Sequence, residues 1–298
     1  MPLAGFSEMM KKALENEFAV GYFEAWNLDS LEAVLEAAQE ARAPVLLGFG
    51  GMTVNQDWFE QGGMEYLAAM GRVAVKSSSI PVSFILNEVK TYQQCMQGME
   101  LGFNVVMMDS SSLSFEQNLT IHRKLVKAAH ARSVDIQAEL GHLPVGGYSS
   151  ASSLTDPKQA GEFVRETNVD ALAVSIGNVH ILTRGEADVD LELLKRIRKE
   201  AGIPLVIHGG TGFPSDSIKD VIREGVTLFH VGSVLKMEYF RGIKSAVREI
   251  DEEKEDIQTV VGSRKKEDFT CQGKKRIRQK VKQLIELYGS WDKAQLFF

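Results

Sequence analysis

Residues 204–212 read PLVIHGGTG, a short apolar run that ends in a histidine and a glycine-rich turn. A continuous apolar run of this length suits a parallel strand buried on both faces. The glycines let a backbone approach a ligand closely, and successive N–H groups can cradle an anion there. One helix-length further on, residues 227–233 read TLFHVGS and repeat the plan, with Gly232 and Ser233 after the histidine. Anion sites formed after the last two strands recur in barrels of alternating strands and helices.

Working outward, six earlier segments have the strand character of these two: Phe18–Phe23, Val45–Phe49, Val82–Leu86, Val105–Met108, Val134–Ala138 and Ala171–Ile176. Leu205–His208 and Thr227–Val231 complete a set of eight. Between them lie segments such as Leu31–Ala41, Asn118–Ala131 and Leu191–Ala201, whose apolar residues recur at three- and four-residue spacing. Eight alternations predict an α/β fold, a closed (β/α)8 TIM barrel rather than an open doubly wound sheet. No GxGxxG follows the first strand, which argues against dinucleotide binding. The barrel is expected over about 17–247 of a single domain, with the charged region 248–298 packed outside it as helix. Within that region Arg248–Lys282 reads as solvated helix with a loop near Gly262. Gly141–Thr155 (GHLPVGGYSSASSLT) is too long for a connector and is expected to form a mobile lid at the mouth.

Composition narrows the function classes. Of 298 residues, 44% are hydrophobic and 25% charged, the balance of a soluble globular protein with one sizeable core. Lys and Arg number 34 against 40 Asp and Glu, so the formal charge is −6 and nucleic-acid binding is not expected. Cys95 and Cys271 are too few for a disulfide framework, which fits a reducing, cytoplasmic setting. No basic segment followed by an apolar run opens the chain and no stretch reaches membrane-spanning length, so neither secretion nor a membrane is expected.

In such a barrel the strand C-termini point into the mouth. Read in order they present Glu24, Asn87 with Glu88, Asp109, Glu139, His180 and His208. Two histidines and several carboxylates converging on one mouth suit a divalent metal. Gly209, Gly210 and Thr211, with Gly232 and Ser233, suit a phosphate.

On these residues the chain resembles the class II, metal-dependent ketose-bisphosphate aldolases. The similarity runs from about Ala19 to Ala294 and is carried by collinear segments. They are AWNLDSLEAVLEAAQEARAPV at 25–45, GFNVVMMDSS at 102–111, AAHARSVDIQAELG at 128–141, TDPKQAGEFVRETNVDALAVSIGNVH at 155–180, PLVIHGGTG at 204–212 and YGSWDKA at 288–294. The resemblance implies a TIM barrel that holds one divalent ion, usually Zn2+, through three histidines. It implies cleavage of a phosphorylated ketose to dihydroxyacetone phosphate and an aldehyde, through a metal-stabilised enediolate. A homodimer or homotetramer is implied too. His180 and His208 match two metal histidines, and Glu139 lies on the motif near the metal. Gly177, Gly209, Gly210 and Thr211 match substrate- and phosphate-binding positions, as do Gly232 and Ser233, while Asp109 matches the acid of strand four.

The departures fall where the chemistry should be. Where the family has His-Leu-Asp-His-Gly after strand three, this chain has Ile85-Leu86-Asn87-Glu88-Val89. Asn87 replaces an acid and cannot exchange protons under ordinary conditions. Glu88 replaces the third metal histidine, and with His180 and His208 makes a two-His, one-carboxylate set that also suits Mn2+, Fe2+ or Co2+, with Glu139 its rival for third ligand. Between His142 and Leu154 the expected lid carries no acid. The strand-eight Asn of the family is His230 here, the Gly after the second metal histidine is Ile181, and Glu24 stands in place of an Asn. Glu24 is therefore the candidate general base and His230 its acid partner. Three readings follow in order: an aldolase-like lyase with displaced acid–base residues, a metal-dependent sugar-phosphate isomerase or epimerase, and a non-catalytic phosphosugar-binding protein.

Overall fold

The computed structural model describes residues 3–52, 54–141, 143–144, 154–180, 185–251 and 253–298. Eight parallel strands close in chain order: β1 (Val20–Ala25), β2 (Val45–Gly50), β3 (Val82–Val89), β4 (Val105–Met108), β5 (Asp135–Leu140), β6 (Ala171–Val174), β7 (Leu205–Ile207) and β8 (Val226–Val231). β1 pairs with both β2 and β8, with Tyr22 opposite His230, so the barrel predicted from the strand pattern is complete. The largest departure from the predicted bounds is at β3. It runs on through Asn87 and Glu88, with a register irregularity between Leu86 and Val89.

The α-helices among the described residues are α1 (Phe6–Glu15), α2 (Leu28–Glu40), α3 (Gln56–Trp58), α4 (Met64–Ser77), α5 (Tyr92–Glu100), α6 (Phe115–His130), α7 (Pro157–Thr167), α8 (Leu191–Ala201), α9 (Ile218–Arg223), α10 (Ser233–Glu249), α11 (Ile257–Val260) and α12 (Phe269–Leu287). Capping explains where they start. Asn27 accepts the Ser30 N–H while the Ser30 hydroxyl accepts the Asn27 N–H, and this box begins α2 three residues before the apolar spacing does. Ser114 and Gln117 do the same for α6. None of these helices is long and apolar enough to cross a membrane.

Alternation along each strand divides the core in two. Outward residues such as Phe23, Leu47 and Ile136 pack under the helices. Inward residues Val20, Tyr22, Leu46, Ile85, Val105, Met107, Val206 and Leu228 fill the barrel together with Phe6, Met9, Met10 and Ala13 of α1. Helix α1, which the strand count does not foresee, therefore plugs the N-terminal end. Its first turn is fastened there by Ser7, whose N–H and hydroxyl donate to Asp135 at 3.0 and 2.8 Å.

The charged C-terminal region is helical, with a break around Gly262, as expected. It is more than a solvated face. α12 packs against α10 and α2, and Lys274 reaches Glu32 at 2.7 Å and Glu36 at 2.6 Å, while Arg278 reaches Glu40 at 2.6 Å. The chain then returns to the barrel, where buried Tyr288 stacks on Phe229 of β8 with ring centres 4.6 Å apart.

Candidate active site

The inward face of several strands turns from apolar to polar toward the mouth. One period-two step carries β1 from Tyr22 to Glu24, β3 from Ile85 to Asn87, β7 from Val206 to His208 and β8 from Leu228 to His230. The same step separates Gln137 from Glu139 on β5. Side chains distant in sequence thus form one polar layer above the apolar filling.

Glu88, Glu139, His180 and His208 each offer a ligand atom, and these atoms lie within 4.8 Å of one another. His208 Nδ1 is 3.2 Å from Glu88 Oε1, 3.3 Å from Glu139 Oε2 and 3.3 Å from His180 Nε2, and His180 Nε2 is 3.7 Å from Glu88 Oε1. Tetrahedral ligands around zinc at their usual bond lengths stand about 3.4 Å apart. The donor set therefore fits a divalent ion without rearrangement. Among the described residues buried Glu139 Oε2 has no hydrogen-bond partner, which suits a donor aimed at a cation.

Electrostatics agree. Burial alone would raise the Glu88 carboxyl, but the hydrogen bond from His208 and the charges of His208 and His180 hold it below its ordinary value. Burial would lower His208, yet its bond to Glu88 and the charges of Glu139 and Glu88 raise it. Glu139 is pushed up to about 7, chiefly by burial. Glu88 has a left-handed backbone, φ 51°, which a residue with a side chain adopts rarely and mostly where its surroundings enforce it.

A second ring of contacts orients these groups. Asn87 donates from Nδ2 to Glu88 Oε2 at 3.1 Å, so the amide that replaces an acid holds Glu88 in place. Buried Asn178 donates to the His208 carbonyl at 2.9 Å, tying the turn before His180 to β7. Gln137 joins the histidines: its Nε2 is 2.9 Å from His208 Nε2 and its Oε1 is 3.1 Å from His230 Nε2. The His230 ring stacks on His208 with centres 4.0 Å apart. Burial, then the charges of His208 and His180, lower its pKa well below the ordinary histidine value. The His230 ring thus packs on His208 and faces Gln137.

A cleft of about 380 Å3 opens beside the cluster, between His180 and His208 on one side and the start of α10 on the other. Gly209, Thr211, Gly232 and Ser233 line it. The Thr211 hydroxyl accepts the Val234 N–H at 3.2 Å, which locks the β7 turn onto the first turn of α10. Gly210 differs from expectation. Its N–H donates to the His230 carbonyl at 3.0 Å and is spent there, while a Cβ on it would come within 2.9 Å of that same oxygen. Gly177 also stands outside the cleft lining: its φ of 106° and a close approach to the Asp188 carbonyl explain the glycine. Asp109, likewise outside the lining, accepts the Ser111 N–H and hydroxyl and so shapes its own turn. Glu24 does reach the cleft, but its carboxylate is held by Lys236 Nζ at 2.7 Å. Burial raises the Glu24 pKa, with Lys236 opposing.

On the far side of Glu139 lies a second cavity of about 220 Å3 lined by Ser110, Asn118, Thr155 and Asp156. Among the described residues Ser110 Oγ and Asn118 Oδ1 are buried without hydrogen-bond partners. The expected lid, and Ile181 with it, falls largely outside the described residues.

Comparison with known proteins matches residues 4–293 to the family model described as "Fructose-bisphosphate aldolase class-II". The chain belongs to this family. Fructose-bisphosphate aldolase of Staphylococcus aureus is 30% identical over 99% of this chain and 100% of its own length. That of Geobacillus stearothermophilus is 33% identical over 82% and 85%. Among solved structures, the YdjI aldolase of Escherichia coli superposes with a TM-score of 0.82 at 26% identity, over 98% of this chain and 99% of that one. A class II aldolase is a metal-dependent aldehyde-lyase, so the expected enzyme class stands.

Three residues of this class II aldolase site escape a motif-based search: Gln137, Asn178 and Lys236. Gln137 had a usable signal, a polar side chain two residues before Glu139 in a strand whose inward face should be apolar. Lys236 had a weaker one, a cation in the first turn of the helix that follows the Gly232-Ser233 turn. Its pairing with Glu24 exists only because the barrel closes β8 onto β1.

Proposed function

We propose that the chain cleaves a phosphorylated ketose by metal-dependent retro-aldol chemistry, with His180, His208 and Glu88 as metal ligands. The carrying observation is the convergence of four ligand atoms within 4.8 Å of one another beside a glycine-lined cleft. A divalent ion, with zinc the first expectation, would polarise the ketone and draw off the charge that develops when the carbon–carbon bond breaks.

The phosphate end of the ketose lies against Gly209, Thr211, Gly232 and Ser233, where α10 offers the positive end of its dipole and Lys236 its ammonium. The other half of the substrate extends past the cluster into the cavity of Ser110, Asn118 and Thr155. Unpartnered Ser110 Oγ and Asn118 Oδ1 meet sugar hydroxyls there. Glu139 belongs to the cluster and lines this second cavity, so its carboxylate takes the proton from the hydroxyl at the cleaved bond. That assignment supersedes Glu24, whose carboxylate stands at the anion end against Lys236. Gln137 and His230 hold the His208 ring, and Asn87 holds Glu88.

The test is incubation of metal-loaded protein with a panel of ketose phosphates and bisphosphates, products followed by NMR. Dihydroxyacetone phosphate with an aldehyde is the expected outcome. A new sugar isomer, or binding without turnover, would overturn the assignment.

A further inference from the structure

The anion end of the cleft already contains an anion. Glu24 Oε1 lies 2.7 Å from Lys236 Nζ, and the Glu24 carboxylate packs so closely on Gly232 that a Cβ there would collide with Oε2. It also bounds Gly50 across the cleft, where a Cβ would come within 2.9 Å of Oε1. The carboxylate therefore rests on the glycine turn and the ammonium that would hold a phosphate. The surroundings show that the pocket is built for a ligand. Tyr22, two residues earlier on the same face of β1, lines it with a buried hydroxyl that has no hydrogen-bond partner among the described residues. Asn87 Oδ1, also in the lining, is buried and without a hydrogen-bond partner among the described residues.

We propose that Glu24 is a built-in occupant of the phosphate site, and that a substrate phosphate binds by taking Lys236 from it. This rests on the anion-binding half of the function proposed above. Two unlike ligand ends are then treated differently. A neutral sugar terminus cannot compete for Lys236 and leaves the Glu24–Lys236 pair intact. A phosphate, with more charge and three acceptor oxygens, exchanges one ion pair for a stronger one and turns the Glu24 side chain out of the turn. Affinity for the phosphate is lowered by the like charge it displaces, while discrimination against unphosphorylated sugars is sharpened. When the phosphorylated product leaves, Glu24 recovers Lys236, so the pair also limits how long product stays.

The experiment titrates inorganic phosphate into metal-free protein by calorimetry, comparing wild type, Glu24→Gln, Lys236→Met and the double variant. The Gln side chain keeps the shape of the carboxylate and removes its charge, and circular dichroism checks each fold. Phosphate should bind Glu24→Gln at least tenfold more tightly than wild type, and Lys236→Met should abolish that gain in the double variant. Equal affinity in wild type and Glu24→Gln would overturn the internal occupant while leaving the phosphate site in place. Absence of binding in both would overturn the site as well. The ketose-phosphate panel reports separately on the reaction, so loss of the one reading is distinguishable from loss of the other.

Discussion

Glu88 Oε1 stands 3.2 Å from His208 Nδ1 and 3.7 Å from His180 Nε2, so one carboxylate oxygen faces both imidazoles. The left-handed backbone at Glu88 and the amide of Asn87 aim it there. His208→Ala and Glu88→Ala protein should each lose most of their bound zinc by elemental analysis. Asn87→Ala, which removes only the orienting hydrogen bond, should weaken metal affinity about 10–100-fold. Full metal content in His208→Ala would refute the ligand set.

Glu139→Gln tests the proton-transfer assignment. The change keeps size and removes basicity, and a positioned general base contributes roughly 10²–10⁴-fold in rate. Turnover of a cleaved ketose phosphate should fall by that order while zinc content stays near wild type, because Glu88, His180 and His208 remain. Turnover within a few-fold of wild type would move the base elsewhere.

Gly210→Val should act on stability. The Gly210 N–H is bonded to the His230 carbonyl, and a Cβ would press on that same oxygen at 2.9 Å. Backbone must shift to admit it, at a cost of about 2 kcal/mol. Thermal denaturation should show a lowered Tm, and an unchanged Tm would contradict the close approach.

His122 gives the fold a pH dependence away from the site. It is fully buried on α6, its Nδ1–H donates to the Asn118 carbonyl at 3.1 Å, and burial pushes its pKa down to about 4. The unfolded chain binds this proton near pH 6.5, so stability is fully present above that value and declines as pH falls from 6.5 toward 4. A depression of that size corresponds to about 3 kcal/mol across the window. His122→Leu should flatten urea-unfolding stability between pH 6.5 and 4, and an unaltered slope would exclude His122 as its source.

The strands and most of the mouth were legible because they depend on local alternation. His208, Glu139 and Glu24 end apolar runs, and a closed barrel sends such ends to one place. What was illegible depends on which strand ends meet. Glu24 looked like a free base until β8 brought Lys236 beside it from more than 200 residues away. Nor does spacing reveal that His230 meets Gln137 and stacks on the His208 ring. Gly210 looked like a phosphate donor because spacing does not reveal that its N–H is already bonded. Helix α1 went unread because its amphipathic face matches a barrel end rather than any neighbour in sequence.

That helix has a cost during synthesis. Ser7 meets Asp135 and Asp170, which lie 128 and 163 residues further along the chain. At ribosomal rates the plug waits on the order of ten seconds before its binding surface exists. Through that interval Phe6, Met9 and Met10, all fully buried at the end, travel as an exposed greasy stripe on a nascent polypeptide. A chain assembled this way depends on whatever shelters that stripe in the cell, and its refolding yield in a tube should fall as protein concentration rises.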